Sequence, residues 1–515
     1  MRDKGGARRH LRANAPGVAS HALKPNGAGN KAARASTRHD HRRGAVRAAG
    51  RERVAVQIAF WAIVLLACAS RFMLYGDPRL AVAILDTPSY VDSARASLLS
   101  GEAFSGQRLF TTNLVYKLVS ARRDCGRVAT SMPAIGKEAP RSIQPCFEAI
   151  ALLQTFLSLA GWIWLAFVVA RYLKEAPAKL LAAGVILSFA FTPQIAAWDG
   201  ILGSESLSLS LFAFSFGFLI EAAFLLAGER TSGHWQARAT YALGFLFFAL
   251  WLFTKDANVL AIVVLLMLLV PVWRSRSLNA RRPALVLAIL LVGLLALGLL
   301  TARQSQRWQV PLRNAMTSFV MPYPTRVQFF HEHFGMPDPQ SADYQTWFES
   351  RAPTAYPVFL VSHPGFVVST VLENWRVFST SYEQPYYRLT TVSGLPGLAP
   401  WSELLHPSSG IMYLVDTLAL ATLCAAALVG RKRHALAWAA VIAWVYLAAA
   451  LTLGLTYFGD TDGVLRHIFP SVEMFRLLMW VCLLVLIDAY LQRSNGGVNP
   501  PTKTETNSGV RGTGA

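Results

Sequence analysis

The chain alternates long apolar runs with short polar breaks. Ten runs approach or reach the roughly 20 residues that a helix needs to cross a bilayer. They lie at about Val54–Tyr75, Glu148–Ala170, Lys179–Trp198, Ile201–Ala227, Thr240–Thr254, Ala257–Trp273, Pro283–Ala302, Ile411–Gly430, Ala435–Tyr457 and Ile468–Leu491. The pattern predicts an all-α polytopic membrane protein of about ten transmembrane helices. Two long polar-to-mixed segments interrupt it, Gly76–Phe147 and Arg303–Gly410.

The charges of the short connections orient these spans. With the N-terminus inside, the inside connections carry Arg171, Lys174 and Lys179, then Arg230 and Arg238, then Arg274, Arg276, Arg281 and Arg282, then Arg431, Lys432 and Arg433. The short outside connections carry Lys255 and Arg466. That bias is what the positive-inside rule requires, and it predicts an N-in/C-in topology with both long segments outside. The second of these holds Trp308, Tyr323, Trp347, Trp375, Tyr382, Tyr386 and Tyr387, enough aromatic surface for a core of its own outside the membrane.

Composition agrees. Of 515 residues, 53% are hydrophobic and 15% charged, and the mean hydropathy is +0.36. A soluble α/β enzyme of this length would need more charge to cover its surface. The formal charge of +20 does not indicate nucleic-acid binding, because it is concentrated at one end: Met1 to Arg53 holds 14 Lys/Arg against Asp3, Asp40 and Glu52. This arm lacks an apolar period and is expected to be disordered, on the cytoplasmic side, and attracted to anionic lipid. The divisions that follow are a basic arm (1–53), a membrane body with spans 1–7 (54–302) whose first outer loop is 76–147, a large outer loop domain (303–410), spans 8–10 (411–491) and a disordered tail (492–515).

Three short segments on the predicted outer face carry candidate chemistry. In Asp86-Thr87-Pro88-Ser89-Tyr90, Asp86 or Thr87 can cap a short amphipathic helix, Pro88 suits its first turn, and Gly101 suits its end. In Ser204-Glu205-Ser206-Leu207, Glu205 opens an apolar helix, where it either stabilises the N-terminus or faces a cavity. In Asp460-Thr461-Asp462-Gly463-Val464-Leu465-Arg466-His467, the cations run against the bias of an outer loop. They suit a lipid phosphate, or else a salt bridge to Asp460 or Asp462. Lys255 is a further cation on that face, either a phosphate ligand or a snorkelling end-of-span lysine. Cys68, Cys424 and Cys482 lie in apolar runs; Cys125 and Cys146 share the first outer loop and can pair if it faces an oxidising compartment. No metal-type Cys/His spacing is present.

These segments resemble the C-type (GT-C) superfamily of integral-membrane glycosyltransferases, in particular bacterial members related to protein mannosyltransferases and lipid A aminoarabinose transferases. Asp86 to Tyr90 resembles the first-loop acidic motif, Ser204 to Leu207 the acidic start of a later span, and Arg466-His467 with Pro470 the basic segment before a last helix. Thr87 stands where many members have a second acid, so metal dependence is left open and no cofactor is assigned.

The resemblance implies an enzyme in the bacterial inner membrane with its active site facing the periplasm. It would move a sugar from a polyprenyl-phosphate carrier to an acceptor hydroxyl on a lipid, glycan or protein. Asp86 would then be the base, its pKa raised by partial desolvation. Glu205 would position the acceptor or a cation, and Arg466, His467 and Lys255 would bind the donor phosphate. Two other readings predict different residues. A surface-polysaccharide ligase or polymerase would use His331, His333, His363 and Arg376 of the large outer loop. A transporter or flippase would need charges within spans, for which Glu221 and Asp488 are the few candidates.

Overall fold

The computed structural model describes residues 28–84, 86–120, 144–229, 233–274, 278–384, 398–430 and 432–496. The chain is an all-α polytopic membrane protein. Among the described residues, seven helices are long and apolar enough to cross a membrane: Gly50–Tyr75, Glu148–Tyr172, Glu205–Leu226, Arg281–Gln304, Ile411–Gly430, Arg433–Gly459 and Val464–Asn495. Two bent pairs, Ala176–Ala190 with Pro193–Gly200 and Ala352–Ser362 with Pro364–Glu373, would bring the number to nine. The first of these matches an expected span, broken where Pro193 cannot donate to the helix ladder. The second was not expected from the sequence. Two further expected spans correspond to the His234–Leu252 helix and to the shorter apolar helix Asp256–Val270.

Apolar side chains surround most of these helices, as suits segments packed against protein on one side and lipid on the other. The first helix extends back from the membrane to Ala28, into the arm expected to lack order. Ala and Arg are strong helix formers, and no proline lies between Pro25 and Pro78 to stop the helix. Residues 1–27 and 497–515 lie outside the described residues. Residues up to Ile58 form a unit of their own; the helix packing and the candidate site belong to the unit from Ala59 onward.

In that unit the Glu148–Tyr172 helix lies between Glu205–Leu226 and Ala176–Ala190, while Arg433–Gly459 lies against Val464–Gly496 and Ile411–Gly430. Trp162, Trp198, Trp251, Trp438 and Trp444 fill the interior. A second, smaller core joins helices from 309 to 362 around Met316, Phe330, Phe348 and Phe359.

Polar contacts gather the helix ends into two groups. At one, Arg171 and Tyr172 bond to Glu221 at 3.1 and 2.8 Å, and Asp488 accepts the backbone N–H groups of Lys174 and Glu175, both at 2.8 Å. At the other, Arg71 bonds to Asp199 at 3.2 Å, Arg307 to Asp256 at 3.1 Å, and Asn314 to Asp460 at 2.9 Å. The second group contains the candidate site.

Candidate functional site

The segment after the first membrane helix is held to the turn that precedes Glu205. The Val82 N–H donates to the Gly200 carbonyl at 2.8 Å, and the Leu202 N–H donates to the Val82 carbonyl at 2.9 Å. Thr87 completes the connection. Its hydroxyl accepts the Ile84 N–H and donates to the Leu202 carbonyl, both at 2.8 Å, and the residue is fully buried. Thr87 is thus a structural link between two site-bearing segments.

The helix that follows is Thr87–Ser93, shorter than a helix running to Gly101. Asp86 precedes it, but its side chain makes no capping bond. Both carboxylate oxygens are taken by arginines instead. Oδ1 accepts Arg108 Nη2 at 2.8 Å and Oδ2 accepts Arg466 Nη2 at 2.6 Å. Charge-assisted bonds of this length outweigh a bond to a neutral N–H.

Arg108 was not singled out from the sequence. It is itself fixed on three sides: Nε donates to Ser89 Oγ at 2.7 Å, Nη2 holds Asp86, and the guanidinium lies 4.3 Å from the centre of the Tyr90 ring. Burial pushes the Tyr90 phenol up to about 12, so it stays protonated and donates to Ser204 Oγ at 3.1 Å. The signal available in the sequence was the placement of Arg108 one short helical hairpin after Asp86. Nothing marked it out from Arg95, whose side chain is exposed.

Glu205 begins its helix, as expected, and is buried. Its side chain folds back so that Oε2 accepts the Ser204 N–H at 3.1 Å. This requires Gly203, where an added Cβ would stand 2.6 Å from Oε2. The other oxygen, Oε1, lies 3.8 Å from Lys255 Nζ and 3.9 Å from Arg466 Nε. These are ion pairs without a close hydrogen bond.

Lys255 is not a snorkelling lysine. Its ammonium is buried and has no hydrogen-bond partner among the described residues. It adjoins a small cavity lined by Ser208, Trp251, Asn258, Thr456, His467 and Ser471. Burial lowers its pKa below the ordinary lysine value, and the nearby Glu205 carboxylate opposes this.

Arg466 and His467 follow a turn at Gly463, whose φ of +58° favours glycine. Arg466 does not pair with Asp460 or Asp462 in the described contacts; it joins Asp86 to Glu205. His467 does take the local partner, with Nε2 3.6 Å from Asp460 Oδ2.

The electrostatics of Asp86 differ from the expectation of a raised pKa. Burial does push its carboxyl up, but the guanidiniums of Arg108 and Arg466 outweigh burial and hold it below the ordinary carboxylate value. Two opposite charges within hydrogen-bond distance favour the ionised form more than partial desolvation disfavours it.

Five expected residues, Asp86, Glu205, Lys255, Arg466 and His467, therefore come together, and Arg108 joins them. Other candidates do not. His333 and His363 bond locally, to the carbonyls of Phe329 and Phe359; His333 stacks on the Phe329 ring and His363 meets the same ring edge-on. His331 and Arg376 are exposed. Cys125 lies outside the described residues, so its pairing with Cys146 does too. Among the described residues no three His, Cys, Asp or Glu side chains converge as a metal site. At the site itself both carboxylates already face cations, a donor set that does not fit a resident metal.

No protein-family model matches the chain, and no curated protein matches it. Among solved structures it is similar to the archaeal oligosaccharyltransferase AglB from Archaeoglobus fulgidus in complex with an inhibitory peptide and a dolichol-phosphate. That match has 13% identity and a TM-score of 0.39 over 88% of this chain and 52% of the other. The apo crystal structure of the Archaeoglobus fulgidus oligosaccharyltransferase gives 12% identity and a TM-score of 0.41 over 85% and 52%. The chain spans about half the length of these structures. At these scores the likeness does not bear on which reaction the site performs.

Proposed function

We propose that the protein is a membrane glycosyltransferase that moves a sugar from a polyprenyl-phosphate carrier to an acceptor hydroxyl at the outer face of the membrane. The observation that carries this reading is the charge arrangement around Arg466. Two carboxylates, Asp86 and Glu205, meet three basic side chains, Arg108, Arg466 and Lys255, and with Lys255 protonated the cations outnumber the acids. In that state the cluster keeps one positive charge in excess. A sugar phosphodiester carries one negative charge, and its lipid tail would keep it at this depth.

In the transfer, the acceptor oxygen bonds to the anomeric carbon as the bond from that carbon to the phosphate oxygen breaks. The phosphate leaves with the electron pair and gains a second negative charge. Cations already in place stabilise that charge without reorganising. The acceptor proton passes to a carboxylate. Asp86 is the base in this reading, but it is a poor one while both arginines hold it. A donor phosphate that draws Arg108 and Arg466 toward itself would weaken those bonds and raise the basicity of Asp86 only when the substrate is bound. Glu205 keeps Lys255 and Arg466 directed at the phosphate. The bias of Lys and Arg to the opposite helix ends supports an outward, periplasmic site in the inner membrane.

The test is complementation. Envelope glycans from cells lacking the gene are compared by mass spectrometry with those of cells carrying the wild type, Asp86→Asn or Arg466→Ala. The wild type should restore a sugar-bearing species that neither variant restores, at equal protein in the membrane. Restoration by both variants would refute the reading. The ligase and transporter alternatives gain no support from their residues: His333 and His363 are tied up locally, and Glu221 and Asp488 serve as helix-end partners.

A further inference from the structure

The region between the Arg281–Gln304 and Ile411–Gly430 helices is expected from the sequence to stand outside the membrane, yet one part of it has a surface unsuited to water. The helix Pro364–Glu373 presents three faces. Phe366, Val367, Thr370 and Val371 point inward; Phe366 packs 5.5 Å from Phe359 and 6.1 Å from Phe458, ring centre to ring centre. Val368 and Leu372, one helical turn apart, are exposed at 57% and 67%. Ser369 and Glu373, each one residue further round, are exposed beside them. An inward face, an exposed apolar stripe and an exposed polar stripe on one helix are the pattern of an element at the boundary of lipid and water.

The apolar stripe continues onto a membrane helix. Trp375, 41% exposed, lies against Gly410, where an added Cβ would be 2.6 Å from the indole. It also packs 5.1 Å from Tyr413. Gly410 leads into the Ile411–Gly430 helix, whose Ile411, Leu414 and Leu418 are exposed. The short helix Leu398–Leu405 runs into the same helix and exposes Trp401 and Leu404, one turn apart. Exposed tryptophans beside the end of a span mark the level of the headgroups.

We propose that Pro364–Glu373, with Trp375 and Leu398–Leu405, lies in the membrane interface and embeds Val368, Leu372, Trp375, Trp401 and Leu404 among the outer acyl chains and headgroups. The bent pair Ala352–Ser362 and Pro364–Glu373 then does not cross the membrane. The 80° bend between them turns the second helix along the surface, and its Ser369 and Glu373 stay in the headgroup layer. The occupant is lipid, because the stripe is continuous with the exposed face of a membrane helix. This inference does not depend on the proposed reaction.

The full-length protein in lipid nanodiscs tests it. Val368→Cys, Leu372→Cys, Trp401→Cys, Ser369→Cys and Glu373→Cys variants are each labelled with an environment-sensitive fluorophore. The unsubstituted protein, labelled in parallel, supplies the background of its five native cysteines. All five positions are exposed, so folding should survive, and thermal melting verifies it. Labels at 368, 372 and 401 should shift to the blue and lose emission to lipids brominated near the glycerol end of the acyl chains. Labels at 369 and 373 should instead lose emission to aqueous iodide. Equal quenching of all five by iodide would overturn the proposal and leave the face open to a protein partner. Strongest quenching by lipids brominated at the chain ends would also overturn it, in favour of a broken span.

Discussion

Arg466 Nη2 lies 2.6 Å from Asp86 Oδ2, a contact between residues 380 apart in the chain. It joins the start of the last membrane helix to the first loop, and the same guanidinium approaches Glu205. A single cation thus sits between the two acids. Substitutions there separate charge from geometry. Arg466→Ala should cut transfer by about 10²–10³-fold, the usual cost of losing one preorganised charge at a reacting centre. Arg466→Lys should restore little, since an ammonium cannot address both carboxylates from one planar fork. Transfer measured at matched membrane protein checks both.

Arg108 sets the pH dependence. Asp86 is held below the ordinary carboxylate value, so its stabilising effect is present above that ordinary value and is lost as pH falls through the lowered one. Arg108→Ala removes one of the two opposing cations and lets burial count for more. The acid limb of both activity and thermal stability should move to higher pH. An unmoved acid limb would remove Asp86 as its source.

Gly203 provides a steric test of Glu205. Gly203→Ala would place a methyl group 2.6 Å from Glu205 Oε2 unless the carboxylate moves. Destabilisation by about 1–3 kcal/mol is expected, as for other overpacked sites. The loss of activity should exceed what that destabilisation explains, and Gly203→Ser should be no better.

Arg307 links the large loop to the site. Its Nε and Nη2 bond both oxygens of Asp256 at 3.1 Å, and Nη1 donates to the Phe104 and Gly106 carbonyls at 2.9 Å. These partners adjoin Lys255 and Arg108. Arg307→Ala should cost roughly 2 kcal/mol, the range for hydrogen bonds to a charged group. The readout is the thermal midpoint of the purified protein, and Asp256→Asn should lower it less because the carbonyl bonds remain.

A second buried charge group tests stability alone. His406 Nδ1 lies 2.6 Å from Glu473 Oε2, and Glu473 also pairs with Arg476, which donates to the Ser379 carbonyl at 2.9 Å. All three side chains are inaccessible to solvent. Glu473→Ala leaves Arg476 buried without its partner and should cost about 3–5 kcal/mol, whereas replacing Glu473 and Arg476 together with methionine should cost less. Yield of folded protein in detergent separates the two.

The sequence alone determined that this chain lives in a membrane. Apolar runs of bilayer length admit few other solutions, since every backbone polar group in lipid must be satisfied within its own helix. It also pointed to Glu205, Lys255, Arg466 and His467, because charges at the ends of apolar helices are costly enough to stand out, and to Asp86 as a candidate cap of a short amphipathic helix. Only the tertiary structure decided what those charges do to one another. The pairing of Asp86 with Arg466 across the chain, the entry of Arg108, the linking role of Thr87 and the lowered pKa of Asp86 depend on distances of a few ångströms between distant segments. No local pattern encodes these. The same holds for the Pro364–Glu373 helix: the sequence places it in a loop outside the membrane, but which of its faces is inward is settled by Phe359 and Phe458, and a sequence read one residue at a time contains neither contact.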